Sequence, residues 1–348
     1  MKKSKVVIIG IICVVITISL GLGSCLSLFG GRTVEEGIDV ANFVNRSMLL
    51  GTVMITDDGI PKRSPVVSPD GSRLLYCETR VVRDAATGQD VTQSDIVMLR
   101  NVNSPAKTPL ITTGNAFTPG WYDDNTRFLY SFGENNAYRI VRSSSAGGGR
   151  TNITRNPVGG RDENPSIKNG VIVFTTREGG RWVINSVLEN GSEVTRLIEG
   201  FDPAWHPTEN KIIYVNGSPS GIRILNMNTM QEEHLYEMPR FNIRRPKYTH
   251  DGKHIVFQRG SEQALAGTQV VTANNIIARQ TRTASTEVRW QLYAITSEGF
   301  NETVLTEGNV DCTFPSLDKD NNLFFLSNAR GVRTNRTEIY KARLNFSN

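Results

Sequence analysis

Pro65-Val66-Val67-Ser68-Pro69-Asp70-Gly71-Ser72-Arg73-Leu74-Leu75-Tyr76 describes a short strand, a tight turn and a second strand. Asp70 and Gly71 close the hairpin, because Asp caps its own backbone and Gly accepts positive φ. Val67 is large and apolar, which suits alternation between a packed layer and the opposite face. Leu74-Leu75-Tyr76 is a continuous apolar run, the pattern of a strand buried on both faces.

Working outward, this unit recurs along the chain. Pro119–Tyr130 (PGWYDDNTRFLY), Pro203–Tyr214 (PAWHPTENKIIY), Pro246–Phe257 (PKYTHDGKHIVF) and Pro315–Leu326 (PSLDKDNNLFFL) superpose on it without a gap. Pro165–Phe174 (PSIKNGVIVF) matches with a turn two residues shorter. The third position holds Val67, Trp121, Ile167, Trp205, Tyr248 and Leu317, all large and apolar. The second holds Val66, Gly120, Ser166, Ala204, Lys247 and Ser316, mostly small. Each copy turns on a pair such as Asp124-Asn125, Asn169-Gly170, Glu209-Asn210, Asp251-Gly252 or Asp320-Asn321.

Two weaker strands follow each copy, as in Ile96–Val102 then Pro109–Thr112, Ile222–Met227 then Glu233–Tyr236, and Gln291–Ile295 then Thr303–Thr306. Four strands per repeat predict an all-β, six-bladed β-propeller of four-stranded antiparallel blades. The last repeat has only one further strand, Glu338–Asn345, so Met48–Thr56 is expected to pair with it and close the ring. Only Thr33–Asn45 shows any helical periodicity.

The P-x-W-S-P-D-G-x-x-[IL]-x-[FY] pattern resembles the WD40-like repeat of the propeller in TolB, the periplasmic partner protein of the Tol-Pal system. It spans about Met48–Asn345. A similar blade motif occurs in the propeller that gates prolyl-oligopeptidase-type serine peptidases. The resemblance implies the fold firmly and the function only loosely. Leu26–Ser47 is too short for the α/β domain that precedes the propeller of TolB, and there is no room for a peptidase domain.

The 348 residues carry a formal net charge of +5. Lys2, Lys3 and Lys5 supply three of those charges, leaving 36 of the 39 Lys+Arg against 34 Asp+Glu. No concentrated basic stripe remains of the sort a nucleic-acid binder needs. Those lysines open a stretch with the anatomy of a secretory leader, continuing through the apolar run Val6–Leu22 to Gly23 and Ser24. Leu22-Gly23-Ser24-Cys25 resembles the bacterial lipobox, which implies acylation of the Cys25 sulfur. The expected organisation is a signal peptide at 1–24, a lipidated tether at 25–47 and the propeller at 48–348. That places the protein in the bacterial cell envelope, anchored through Cys25, either facing the periplasm or exposed at the surface. Cys77 and Cys312 remain; an oxidising envelope permits a disulfide between them, and two buried free thiols are the blander state.

No catalytic set stands out. Gly217-Ser218-Pro219-Ser220-Gly221 puts proline where the nucleophile of a G-x-S-x-G elbow belongs. His206 and His250 occupy turn positions, where exposure is expected, and the histidines lack metal-ligand spacing. Asp70, Asp124 and Asp251 share one hairpin position, which favours capping over acid–base work. Neither a cofactor nor a metal is called for.

Two binding candidates emerge. Arg63, Arg161, Glu163, Asp202, Arg244 and Arg245 lie one to four residues before motif prolines. Equivalent positions in a closed ring gather at one mouth of the central channel; a solvated rim is the simpler alternative. The second is the insertion 259–289, where Val270-Val271 and Ile276-Ile277 flank Ala273-Asn274-Asn275 like an extra hairpin offering a partner contact. The preferred function is a monomeric ring that binds an envelope protein or peptide. The alternatives are an envelope enzyme acting on glycan or peptide at the channel mouth, and a surface lipoprotein contacting host or matrix molecules.

Overall fold

A computed structural model describes residues 38–346, apart from 86, 135–136, 156–159, 218–219, 261–288 and 332–335. The leader, Cys25 and the hairpin of Val270, Val271, Ile276 and Ile277 lie outside the described residues.

The strands form six four-stranded antiparallel sheets. Blade 1 is β2 (Lys62–Val67), β3 (Leu74–Arg83), β4 (Asp90–Leu99) and β5 (Lys107–Ile111). Blade 2 is β6 (Ala116–Trp121), β7 (Arg127–Glu134), β8 (Ala137–Ser144) and β9 (Gly148–Asn152). Blade 3 is β10 (Asp162–Lys168), β11 (Val171–Glu178), β12 (Arg181–Leu188) and β13 (Thr195–Glu199). Blade 4 is β14 (Phe201–Trp205), β15 (Lys211–Gly217), β16 (Ser220–Asn226) and β17 (Glu232–Glu237). Blade 5 is β18 (Ile243–Tyr248), β19 (His254–Gly260), β20 (Trp290–Thr296) and β21 (Thr303–Val304). In blade 6, β22 (Cys312–Leu317), β23 (Asn322–Ser327) and β24 (Glu338–Leu344) are completed by β1 (Leu49–Met54) from the other end of the fold. Ring closure through that strand is as the sequence predicts: Leu49 pairs with Leu344 and Met54 with Tyr340. Within the stretch that carried helical periodicity, the described residues form a 3₁₀ turn at Val40–Asn42.

The hydrophobic cores lie between blades. Successive side chains of a strand face opposite ways, so each second strand feeds two neighbours. Leu75 and Cys77 of β3 pack with Trp121, Phe128 and Tyr130 of blade 2, whereas Leu74 and Tyr76 pack with Phe324, Leu326 and Ile339 of blade 6. Ile213 and Val215 join blade 5, while Ile212 and Tyr214 join blade 3. The residues that end the six motif copies, Tyr76, Tyr130, Phe174, Tyr214, Phe257 and Leu326, lie within the second strands and are all buried. The third motif position packs as expected, and the Trp121 indole donates to the Val66 carbonyl of the previous blade at 3.0 Å.

The hairpin turns carry the expected chemistry. Asp70, Asp124 and Asp251 accept from the amides of Ser72, Thr126 and Lys253. Gly71 has φ +75°, and a Cβ there would meet the Asp318 carboxylate of blade 6 at 2.7 Å. His206 corrects the sequence reading. Its ring is buried, edge-on to Tyr248 at 4.5 Å, and its Nδ1 accepts from the Glu209 amide at 3.0 Å. An imidazole there does the turn-capping work that aspartate does in other blades. Both remaining cysteines are free and buried, and burial pushes each thiol up to about 12. Among the described residues no helix is long and apolar enough to cross a membrane.

A buried ion pair locks the closed ring. Lys62 Nζ lies 2.9 Å from Glu338 Oε2, with both side chains fully inaccessible. Glu338 also accepts from Thr56 Oγ1 at 2.7 Å and the Gly59 amide at 3.0 Å, and Lys62 also pairs with Asp58. One carboxylate thus ties β24 to the segment joining β1 and β2. Glu338→Ala leaves the buried Lys62 with Asp58 alone and strips the Thr56 hydroxyl and the Gly59 amide of their acceptor, so it should lower unfolding free energy by about 3–5 kcal/mol. The double variant Lys62→Met/Glu338→Leu should recover much of that loss. Urea denaturation checks both, and a Glu338→Ala midpoint equal to wild type would show that the pair does not hold the ring.

Candidate functional site

Inner strands of neighbouring blades touch around the ring, β2 with β6 and β22, β10 with β6 and β14, β18 with β14 and β22. One feature repeats in all six. The residue before each motif proline has positive φ: Ser64 (48°), Thr118 (42°), Asn164 (54°), Asp202 (54°), Arg245 (54°) and Phe314 (56°). At each, the pairing with the second strand slips, between Arg63 and Val66 in blade 1 and between Arg244 and Lys247 in blade 5. These are β-bulges, which re-aim side chains near sites. None of the six is glycine and each precedes proline, a position normally held to extended backbone, so each stores strain.

The bulged residues line the central channel, together with Val66, Lys247 and several of the motif prolines. The cavity they enclose is about 50 Å³. At 10–15 Å³ per enclosed water this holds roughly three to five waters, the size of a small polar group.

Asp202 is its electrostatic centre. The carboxylate is buried, and it accepts from Asn164 Nδ2 at 2.9 Å, Arg244 Nε at 2.8 Å and the Arg245 amide at 3.1 Å. A longer contact from the second Arg244 donor, at 3.4 Å, fills the remaining acceptor position. Burial alone would raise the pKa of Asp202, but the charges and hydrogen bonds of Arg244 and Arg245 outweigh it and hold the carboxyl below its ordinary value. Burial likewise weakens Arg244's hold on its proton, and the adjacent Asp202 more than reverses this. Arg245 lies over the Phe314 ring at 3.8 Å and reaches Asn164 Oδ1 at 3.4 Å. Burial brings it down to about 10, with Arg244 adding to the effect against Asp202, so it stays charged at neutral pH.

The six residues singled out from the sequence therefore divide. Asp202, Arg244 and Arg245 form one bonded cluster. Arg161 and Glu163 form a partly exposed pair at 2.8 Å, with Arg161 also over Tyr138 at 4.5 Å. Arg63 holds in blade 1 the place of Arg244 in blade 5, is exposed, and has no ion pair among the described residues. Of the six, Asp202 and Arg245 line the channel.

Lys247 is the lumen residue that the sequence reading passed over. Its signal was present as the one charge at a motif position otherwise held by Val66, Gly120, Ser166, Ala204 and Ser316. No hydrogen bond or ion pair to it exists among the described residues. Burial brings its amine down to about 8, Arg245 reinforcing and Asp202 opposing the shift. Among the described residues no group of three or more His, Cys, Asp or Glu is arranged to hold a metal ion.

No family model and no curated protein matches the chain. Solved structures do. A gluconolactonase of Xanthomonas campestris matches over 90% of this chain and 99% of its own, at 11% identity and a TM-score of 0.58. A chain from Agrobacterium tumefaciens assigned as TolB matches over 84% and 97%, at 12% identity and a TM-score of 0.56. TolB of Acinetobacter baumannii matches over 82% of this chain and 65% of its own, at 15% identity and a TM-score of 0.52. What is shared at these identities is the fold, a six-bladed propeller of the kind seen in TolB structures, while function resides in the residues placed on it.

The Asp202 cluster generates a prediction. Asp202→Asn should lower unfolding free energy at neutral pH by roughly 2–3 kcal/mol, the scale of hydrogen bonds to a charged group. The carboxyl's folded-state pKa lies below the 3.8 of an unfolded aspartate. Its stabilisation is therefore present above that value and is lost as pH falls through the folded one. Urea curves at neutral pH and at about pH 3 should show the gap between wild type and variant shrinking on acidification. A gap that widens would refute the assignment.

Proposed function

We propose that the protein is an exported, lipid-anchored binding scaffold of the bacterial cell envelope, which takes a protein or peptide partner at the mouth of its channel and does no chemistry on it. The observation that carries this is the mouth itself. Charged residues one to four positions before the motif prolines of four blades support it: Arg63, the Arg161–Glu163 pair and the Asp202–Arg244–Arg245 cluster, with Arg63 left without a counter-ion among the described residues. Charges of this kind steer and orient a partner more than they add affinity. The TolB-type fold of the neighbours supports a scaffold, and the lipobox-like Leu22-Gly23-Ser24-Cys25 supports the anchor.

One observation favours a second reading, an enzyme acting on glycan or peptide at the same mouth. Lys247 offers an amine near 8 inside a walled lumen, within the range useful for proton transfer. The gluconolactonase shares the fold. Lactone hydrolysis by wild type that disappears in Lys247→Met would establish that reading.

Two measurements test the scaffold. A fatty-acid label should enter the wild-type protein and not Cys25→Ser; equal labelling of both would remove the anchor. In-cell cross-linking should capture an envelope partner with wild type and lose it with Arg63→Glu/Arg161→Glu. Identical capture by both would move the interface away from the mouth.

A further inference from the structure

We infer that the channel lumen is a receptor for a single carboxylate group, held by the Lys247 ammonium with Ser64 and Thr118 donating beside it. This deepens the binding reading above by naming the chemistry the channel takes.

Donors outnumber open side-chain acceptors in the lumen. Asp202, the one carboxylate lining the lumen, accepts from Asn164, Arg244 and the Arg245 amide, leaving no acceptor position open. Asn164 is likewise consumed: its amide nitrogen donates to Asp202 and its oxygen accepts from Arg245. The donors are in the opposite state. Lys247 has no partner among the described residues, and neither does the Ser64 hydroxyl. Thr118 Oγ1 accepts from the Asn164 amide at 3.2 Å, which leaves its proton free to donate. Among the described residues the lumen's carboxylate and amide are therefore already engaged, while one ammonium and two hydroxyl protons are left to donate.

Charge selects for an anion. Arg244 and Arg245 both lean on Asp202, so one carboxylate already serves two guanidinium groups and the Lys247 ammonium is uncompensated. Proline rings, Val66 and Phe314 make up the rest of the wall, and a lone ammonium against apolar surface is costly. Lys247 is half-buried, and burial reinforced by Arg245 pushes its amine down to about 8. An anion entering the lumen offsets this excess of positive charge over the single Asp202 carboxylate. The cavity of about 50 Å³ admits a carboxylate and excludes a folded segment. Val66, Gly120, Ser166, Ala204 and Ser316 at the equivalent positions leave Lys247 as the only amine of the motif ring. The carboxylate is either the C-terminus of a peptide entering the mouth or a free small acid.

Lys247 reports its own occupancy through its reactivity. The purified full-length protein is acylated at about pH 8 and each lysine read by mass spectrometry, with exposed Lys253 as the internal reference. Replacing chloride by acetate at about 100 mM should slow Lys247 about fivefold, as for a Kd of ~25 mM, and leave Lys253 unchanged. Triglycine beside triglycine amide then separates the sources. Slowing by triglycine alone of the pair indicates a peptide terminus; slowing by acetate without triglycine indicates small acids. Acetate should also raise the thermal midpoint of wild type and not of Lys247→Met. If neither acetate nor triglycine slows Lys247 relative to chloride, or if Lys247 does not react at all, the inference is overturned. Arg63→Glu/Arg161→Glu leaves Lys247 in place, so loss of partner capture and loss of carboxylate binding are separate results.

Discussion

The structure depends on one act of pairing, that of Leu49–Met54 with Glu338–Leu344. Each blade is covered on both faces by its neighbours, and no blade owns a core. Leu74 and Tyr76 are buried only because Phe324, Leu326 and Ile339 stand against them, and blade 6 is a full sheet only because β1 joins it. Opening that junction exposes apolar surface on two blades at once and loosens every interface that follows. The Lys62–Glu338 pair sits at this point. A hydrophobic pair of the same volume would serve stability as well or better. What the ion pair adds is a direct link between β24 of blade 6 and β2 of blade 1.

The same ring geometry makes the site. Inner strands converge on a narrow axis, where side chains pointing straight inward would collide. The bulge before each proline relieves this by turning one residue per blade to line the lumen, at the expense of a left-handed backbone at non-glycine positions. Strain repeated in six blades belongs to the architecture. What varies is the side chain carried on each bulge: hydroxyls at Ser64 and Thr118, an amide at Asn164, a carboxylate at Asp202, a guanidinium at Arg245 and a ring at Phe314. The fold supplies a frame with six slots, and chemistry enters through their contents.

The blades were legible because their signals are local. Strand alternation, the Asp-Gly and Asn-Gly turns and the apolar second strands are written in a dozen residues each, and the absent fourth strand of the last repeat announced the closure. The bulges were not legible, since a residue before proline reads as extended and only convergence of six strands forces it otherwise. His206 misled because a turn histidine is normally exposed; Tyr248 from the next blade covers it, a contact no local pattern records. Offset from the prolines singled out the charged candidates, yet it could not separate Arg63, without an ion pair among the described residues, from Arg244, which Asp202 holds. Lys247 was visible as the odd member of a small-residue column, and its meaning depended on knowing that Asp202 was already saturated.

The closing pair also sets a timetable. At ~5–20 residues per second, synthesis of β24 follows that of β1 by roughly 15–60 s. Through that interval Leu49-Leu50-Gly51-Thr52-Val53-Met54 has no strand to pair with and no charge to discourage other chains. Even in the finished ring Leu50 and Val53 stay exposed on the outer edge of blade 6. The first strand of the ring to be made is thus among the last of its strands to be protected, and it must be kept from premature pairing for as long as the rest of the ring takes to arrive.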